Sequence, residues 1–533
     1  MNAPKSMDRR QFLSTTAASV AAVSALGSVP ASATSSTRPN IMVIMADDMG
    51  YSDIGCYGGE VKTPNLDALA AVGLRFRQFY NAARCCPTRA ALLTGLYPHQ
   101  AGMGGMVSHD DKYQPGAYQG FLNDQCVTLA EVLGNAGYKT YMSGKWHVGE
   151  AEENWPCKRD FDRYFGLISG ANSYYALDTG GKNPRKMALD DEPYTPPEKG
   201  YYMTDAFTDH AVQCIEEHDT DTPFLHYVPY TAPHWPLHAL REDIAKYKDR
   251  YLHGWDKLRE ERYARMQAMN VLAKDWGLSP RDEEVPAWDE VEDKEEWAQR
   301  MAVYAAMIDR MDQGIGRIID TLKKKGVFDN TLILFLADNG GCHERIDSKI
   351  QNDPEATIGE PASYQAYRRP WANASNTPFR MFKHWVHEGG NSTPLIAHWP
   401  EGITARGDFS DTVGHIIDFM PTFVELAQAE YPTTHKGKMI TPLPGQSLVS
   451  VLQGKSEGTP RTLYWEHFWN AAVRDGDWKL VSHKKGQWEL YNLAEDRAEL
   501  NNRIEDETER ADAMREKYMI WAKSIGVRLR PKM

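Results

Sequence analysis

Residues 40–48 read NIMVIMADD and residues 330–339 read NTLILFLADN. Each is a continuous apolar run that stops on a carboxylate, the texture of a strand buried on both faces of a sheet. LRFRQFY from Leu74, YKTYMS from Tyr138, PFLHYVPY from Pro223 and TPLIAHW from Thr393 have the same texture. Between these runs lie NLDALAAVG, TRAALLTG, TLAEVLGNAG, TDAFTDHAVQCIEEH and YAAMIDRMDQGIGRIIDTLKKKG, with apolar residues three and four apart. That is the helical period, and strands alternating with such helices predict an α/β fold: a large, mainly parallel sheet covered by helices on both faces.

Working outward, residues 34–430 form the expected α/β domain, interrupted at about 241–299 by a stretch dense in Glu, Asp, Lys, Arg and Trp. That stretch reads as a helical, charged surface excursion. Residues 341–380 are rich in Pro, Asn and Ser with little periodicity, the character of a long active-site loop. From 431 to 533 the texture changes to TLYWEHF, AAVRDGDWKLVSH and QWELYNL, followed by a helix near Glu507 to Ile525. A smaller α+β subdomain with a short antiparallel sheet is expected there.

The 533 residues carry 60 basic and 73 acidic side chains, a net charge of −13. This balance gives no electrostatic footprint for nucleic acid, and an anion site must be locally basic. Seven cysteines are too few for a disulfide framework, and Cys85 and Cys86 are adjacent. Residues 1–33 contain SMDRRQFL, an Ala/Ser/Val stretch and VPASA, and resemble a twin-arginine signal peptide with Arg9 and Arg10 as the pair. The stretch is too short and polar for a stable membrane span, so stable membrane insertion is not expected. The implied partner is the twin-arginine export machinery, and the implied location is the periplasm or the medium.

Asp47-Asp48 and Asp338-Asn339 stand at the carboxyl ends of two strands, where open α/β sheets gather their ligands. Three carboxylates and an amide oxygen form a hard donor set suited to Ca²⁺, with Mg²⁺ second, although Asp at a strand end also caps ordinary turns. The segment NAARCCPTRAALLTG, from Asn81, places Pro87 in the first turn of a helix. Cys85 then sits where backbone N–H groups point outward, with Arg89 one turn on.

Cys85-x-Pro87-Thr88-Arg89 followed by AALLTG resembles the signature of the sulfatase family, closest to bacterial arylsulfatases of the alkaline phosphatase superfamily. Only Cys85 has Pro two and Arg four residues downstream, so Cys86 is the variable second position. The resemblance extends to Asp47, Asp48, Asp338 and Asn339, to Lys145 and His147 in GKWHVG, to His234 in TAPHWP and to Lys383 in NTPFRMFKHWVHEGG.

The resemblance implies that Cys85 is oxidised to formylglycine (3-oxoalanine) by a formylglycine-generating enzyme. It implies a divalent cation held by Asp47, Asp48, residue 85, Asp338 and Asn339. Lys145 and Lys383 would hold sulfate oxygens, Arg89 would stabilise the deprotonated diol, His234 with Lys383 would protonate the leaving oxygen, and His147 would act as the base. Hydrolysis of an aryl or carbohydrate sulfate ester would then run through a covalent sulfo-formylglycine intermediate. Two alternatives stay open: a phosphomonoester or phosphonate-ester hydrolase of the same superfamily, and a non-catalytic sulfated-glycan binder if Cys85 is unmodified. One departure is WEHFWN, Trp465 to Asn470, where close relatives have a smaller, more polar stretch after the Glu-His pair. Phe468 and Trp469 are expected either to reach the pocket mouth or, as aromatics in a small sheet more often do, to pack within the second sheet.

Overall fold

The computed structural model describes residues 38–107, 116–180, 183–272, 276–346, 352–483 and 486–529, so the signal-peptide reading of residues 1–33 lies outside the described residues. The large sheet is built from β1 (Asn40–Ala46), β2 (Leu74–Tyr80), β3 (Lys139–Ser143), β4 (Arg163–Leu167), β5 (Met187–Leu189), β6 (Glu192–Pro193), β7 (Phe224–Pro229), β8 (Thr331–Ala337), β9 (Ser392–His398), β10 (Asp408–Ser410) and β11 (Gly414–His415). Its order is β10-β2-β9-β8-β1-β7-β3-β4-β5-β6, with β11 also beside β2. The centre, β8-β1-β7-β3-β4, is parallel, whereas β9 runs antiparallel to both β8 and β2. Every residue of β1 and β8 is buried, as two-sided strands require.

Register positions the site. Asn40 to Ala46 pair in step with Thr331 to Ala337, so the two strands end side by side and Asp47 faces Asp338. β7 and β3 lie next in the sheet, which brings the segments leaving them to the same edge.

The excursion at 241–299 is helical, with helices Arg241–Ala245 and Gly254–Ala268, but it is not merely a solvated surface. Trp255, Trp276 and Trp288 are buried, and Trp255 and Trp288 pack their rings against Trp371. Arg262 is fully buried against Asp53 (2.6 Å) and Glu60 (2.8 Å). The charge density of the sequence concealed this, because a buried cation paired with two carboxylates reads like surface charge.

A two-stranded ribbon, β12 (Thr434–His435) and β13 (Lys438–Met439), precedes the antiparallel sheet β14 (Thr462–His467), β15 (Asn470–Asp475), β16 (Trp478–Ser482) and β17 (Trp488–Asn492); the helix Thr508–Ser524 follows. Phe468 and Trp469 do not pack inside that sheet. They are the two-residue turn between β14 and β15, closed by the His467–Asn470 pair, and are 41% and 50% exposed. An alternating pattern does not mark where the hairpin reverses, so the aromatics read as strand residues.

The small sheet is anchored to the large one by a buried ionic network. Glu388 receives Lys479 Nζ at 2.8 Å, Arg497 Nε at 2.5 Å and the Tyr80 hydroxyl at 2.9 Å. Burial alone would raise the Glu388 carboxyl, but Arg497, Lys479 and Arg474 outweigh it and hold its pKa at about 2. Stability from this group is therefore present above the ordinary glutamate value and lost as pH falls through about 2. Lys479→Met is expected to cost about 3 kcal/mol in chemical denaturation and to move acid unfolding to higher pH. An unchanged acid midpoint would show that the network does not stabilise the fold.

Candidate active site

The helix Cys85–Thr94 begins at the proposed nucleophile, and all its residues are buried. Thr88 fastens it to the sheet: its Oγ1 donates to the Asp338 carbonyl at 2.7 Å and accepts the Ala82 N–H at 2.9 Å. Four residues after Cys85, and so on the same helix face, Arg89 donates to Asp338 Oδ2 at 2.9 Å and to the Lys145 carbonyl at 3.0 Å, with Asp47 Oδ2 3.5 Å away. One guanidinium thus ties together the ends of β1, β8 and β3.

Asp48 adopts a left-handed conformation, φ 66°. Its N–H donates to Asp338 Oδ1 at 3.1 Å, which ties the end of β1 to that of β8. Lys145 Nζ lies 2.6 Å from Asp47 Oδ2 and Lys383 Nζ 2.8 Å from Asp48 Oδ2, all four side chains being buried. Asn339 directs its NH₂ to Asp48 Oδ1 (2.8 Å) and to the Gly340 carbonyl (2.9 Å). Asp47 Oδ1 and Asn339 Oδ1 remain buried without a hydrogen-bond donor. Burial and the adjacent Asp338 push the Asp47 carboxyl up to about 7 despite Lys145, His234 and Arg89 nearby. Crowded carboxylates with orphaned oxygens fit a divalent cation: Asp47, Asp48, Asp338 and Asn339 offer an all-oxygen set.

His234 follows β7. Its Nδ1 lies 2.7 Å from the Trp235 carbonyl, which only accepts, so Nδ1 carries the hydrogen. Nε2 then faces Asp48 Oδ2 and Lys383 Nζ, each at 3.3 Å. Burial lowers the His234 pKa; Asp48 raises it, but not enough to reverse the direction. Lys383 is held well above the ordinary lysine value, Asp48 and Glu344 outweighing burial. His147, also left-handed at φ 56°, has both ring nitrogens within 3.5 Å of Cys86 Sγ. Burial lowers its pKa to about 3, so the imidazole is neutral. A Cβ on Gly170 would fall 2.3 Å from His147 Nε2, so only glycine leaves room for that ring.

At the encoded Cys85, a hydrogen bond from the Cys86 thiol, with Lys145 and His147 nearby, pulls the thiol pKa well below its ordinary value against burial. None of the seven cysteines is disulfide-bonded. Ten residues singled out in the sequence, Asp47, Asp48, Cys85, Arg89, Lys145, His147, His234, Asp338, Asn339 and Lys383, are all buried. The contacts above link them in one cluster at the carboxyl ends of β8, β1, β7 and β3.

Sequence reasoning assigned no role to Glu344, which joins the pieces of the mouth. It takes Trp235 Nε1 at 2.9 Å and Arg84 at 2.9 Å, and lies 4.0 Å from Lys383 Nζ. Lys383 and Arg84 hold its carboxyl far below the usual range, against burial. A cavity of about 800 Å³ opens beside it, lined by Arg84, Trp235, His343, Glu344, Arg345 and Arg369 among others. Glu344 sits in the aperiodic loop, where no sequence pattern separates it from other surface acids. His343, also without an assigned role, packs its ring against Trp385 at 4.6 Å.

Residues 39–429 match the family described as Sulfatase, and residues 379–520 match the one described as N-sulphoglucosamine sulphohydrolase, C-terminal. The chain belongs to the sulfatase family and is a sulfuric ester hydrolase. It is 34% identical over 490 residues to an uncharacterised sulfatase of Schizosaccharomyces pombe, covering 84% of this chain and 86% of that one. It is also 34% identical over 458 residues to an arylsulfatase of Klebsiella aerogenes, covering 82% and 97%. Among solved structures, Ps i-CgsB in complex with k-i-k-neocarrahexaose superposes with a TM-score of 0.68 at 25% identity, covering 91% of this chain and 93% of that one. No helix among the described residues is long and apolar enough to cross a membrane.

Proposed function

We propose that this chain hydrolyses the sulfate ester of an aryl or carbohydrate alcohol, with residue 85 as formylglycine and one bound Ca²⁺. The observation that carries the proposal is the cluster itself: Arg89, Lys145 and Lys383 converge on Asp47, Asp48 and Asp338, next to the donorless oxygens of Asp47 and Asn339. Three fixed cations in a buried site offset the acidity of the chain and suit a small anion. Asp47, Asp48, Asp338 and Asn339, with an oxygen on residue 85, would hold the cation, which supplies polarisation of a sulfate oxygen and a lower pKa for a nearby hydroxyl. A hydrated aldehyde at residue 85 supplies one hydroxyl to attack sulfur, displacing the alcohol, and a second whose deprotonation expels sulfate and restores the carbonyl.

The surrounding side chains have suitable states for these steps. Arg89, pinned by Asp338, sets a permanent positive charge behind residue 85. His147 is neutral and buried beside Cys85 and Cys86, as a base for the second hydroxyl must be. The charged Lys383, 3.3 Å from His234 Nε2, is a proton source for the leaving oxygen directly or through that imidazole. Lys145 and Lys383 would turn from Asp47 and Asp48 to the sulfate oxygens once a divalent cation shares those carboxylates.

The Arg9-Arg10 segment supports export of the folded chain by the twin-arginine route to the periplasm or the medium, after modification by a formylglycine-generating enzyme. The deciding experiment is turnover of a matched aryl sulfate and aryl phosphate. The sulfate is expected to lead by about 10²-fold or more in kcat/KM. A phosphate preference of that size would transfer the site to phosphoryl chemistry.

A further inference from the structure

Phe468 and Trp469 occupy the turn between β14 and β15 with φ of 47° and 68°. A two-residue hairpin with both central residues left-handed ordinarily takes Asn or Gly, since bulky side chains are strained there. Among the described residues, this chain instead places its most exposed aromatics there. The turn is firmly held: Glu466 Oε1 accepts the Trp469 N–H at 2.7 Å, while Glu466 Oε2 takes the Tyr118 hydroxyl at 2.9 Å and lies 2.7 Å from His99 Nε2.

The turn also touches the site. Phe468 packs its ring 5.7 Å from His384, the residue after Lys383, and 4.3 Å from His467. Asn470 Nδ2 donates to the His384 carbonyl at 3.2 Å, and the His384 N–H donates to the Ala83 carbonyl at 2.8 Å, two residues before Cys85. His467 beneath the turn is fully buried, lies within electrostatic reach of Arg84 and Cys85, and has no hydrogen-bond partner on either ring nitrogen. A buried imidazole with both nitrogens unsatisfied marks a place where a polar ligand atom or a water it orders belongs. Strain, exposed aromatic rings and an unpartnered polar group thus meet beside the segment that carries Lys383.

We propose that Phe468 and Trp469 form the platform for the leaving group of the ester, stacking against the flat face of a ring-bearing alcohol, aryl or pyranose, above the buried His467. This inference rests on the sulfate-ester reading and adds where the alcohol sits. Aromatic rings offer large apolar faces that bind such flat faces through dispersion.

The test is steady-state kinetics of full-length wild type, Trp469→Gly and Trp469→Asn on 4-methylumbelliferyl sulfate, a monosaccharide 6-sulfate and an acyclic alkyl sulfate, with inhibition by inorganic sulfate and the thermal midpoint measured alongside. Gly and Asn both tolerate the left-handed turn. KM for at least one ring-bearing ester is expected to rise about fivefold to tenfold with kcat within about twofold, while acyclic KM and sulfate inhibition stay unchanged. The ester that loses identifies aryl or sugar as the ring. The thermal midpoint is expected to hold or rise as strain is relieved, an outcome a structural role would not give. Unchanged KM for both ring-bearing esters, or an equal rise for the acyclic one, overturns the platform. A wild type that turns over only the acyclic ester removes the aryl-or-carbohydrate reading, whereas turnover of the ring-bearing esters with KM unmoved overturns the platform alone.

Discussion

Replacing Cys85 by alanine is expected to lower kcat/KM for a sulfate ester by roughly 10⁵-fold or more while leaving the fold intact. The size follows from the role assigned to this position: as the attacking group it has no substitute in the cluster. Arg89, Lys145 and Lys383 would still bind the anion, so weak affinity for inorganic sulfate should survive. The fold should survive because the side chain is small and the hydrogen bonds that anchor the helix to the sheet do not run through it. Thr88 makes the anchoring contacts to Asp338 and Ala82. The stability loss should be about 1 kcal/mol, the cost of deleting a small buried group. Near-wild-type turnover by the variant would remove residue 85 from the reaction. Loss of the folded state would instead make Cys85 a packing residue.

Removal of divalent cations is expected to produce the second large effect. Chelation should abolish turnover, and Ca²⁺ should restore it more effectively than Mg²⁺, because the flexible all-oxygen donor set suits the larger ion. The thermal midpoint gives an independent readout. A cation that binds only the folded chain stabilises it by about 4 kcal/mol at a thousandfold excess over its Kd. The physical reason is the juxtaposition of Asp47, Asp48 and Asp338 in a buried site, where Arg89 and the two lysines leave Asp47 Oδ1 and Asn339 Oδ1 without a donor. Asp338→Ala should abolish the Ca²⁺-dependent rise in thermal midpoint together with turnover. A midpoint indifferent to Ca²⁺ would mean that Arg89, Lys145 and Lys383 alone neutralise the cluster.

The pieces of the site were legible in the sequence because chemistry and strand ends coincide. NIMVIMA and TLILFLA are unambiguous buried strands, and each runs directly into the residues proposed to hold the cation. What the sequence did not carry was adjacency. That β8, β1, β7 and β3 stand next to one another is a property of crossover order, and the reversal of β9 leaves no mark in an apolar run.

The tryptophan cluster around Trp255 and the buried Arg262 were concealed for a different reason. Partners such as Asp53, Glu60 and Trp371 lie far away in the chain, and charge density alone does not distinguish a satisfied ion pair from a wet surface. The β-like composition around Phe468 and Trp469 does not tell strand from turn, and only the His467–Asn470 pair decides against packing within the sheet. Glu344 has no periodic neighbour, and its function appears only once Arg84, Trp235 and Lys383 are brought to it.

The account stands most directly on the chemical state of residue 85. Mass spectrometry of the peptide spanning Asn81 to Arg89, from the protein as its native host produces it, reads that state alongside turnover in the same preparation. The account predicts that the CH₂SH side chain has become an aldehyde, captured by a hydrazine, in proportion to the hydrolysed sulfate ester. A fully intact Cys85 thiol in material that hydrolyses the ester would contradict it.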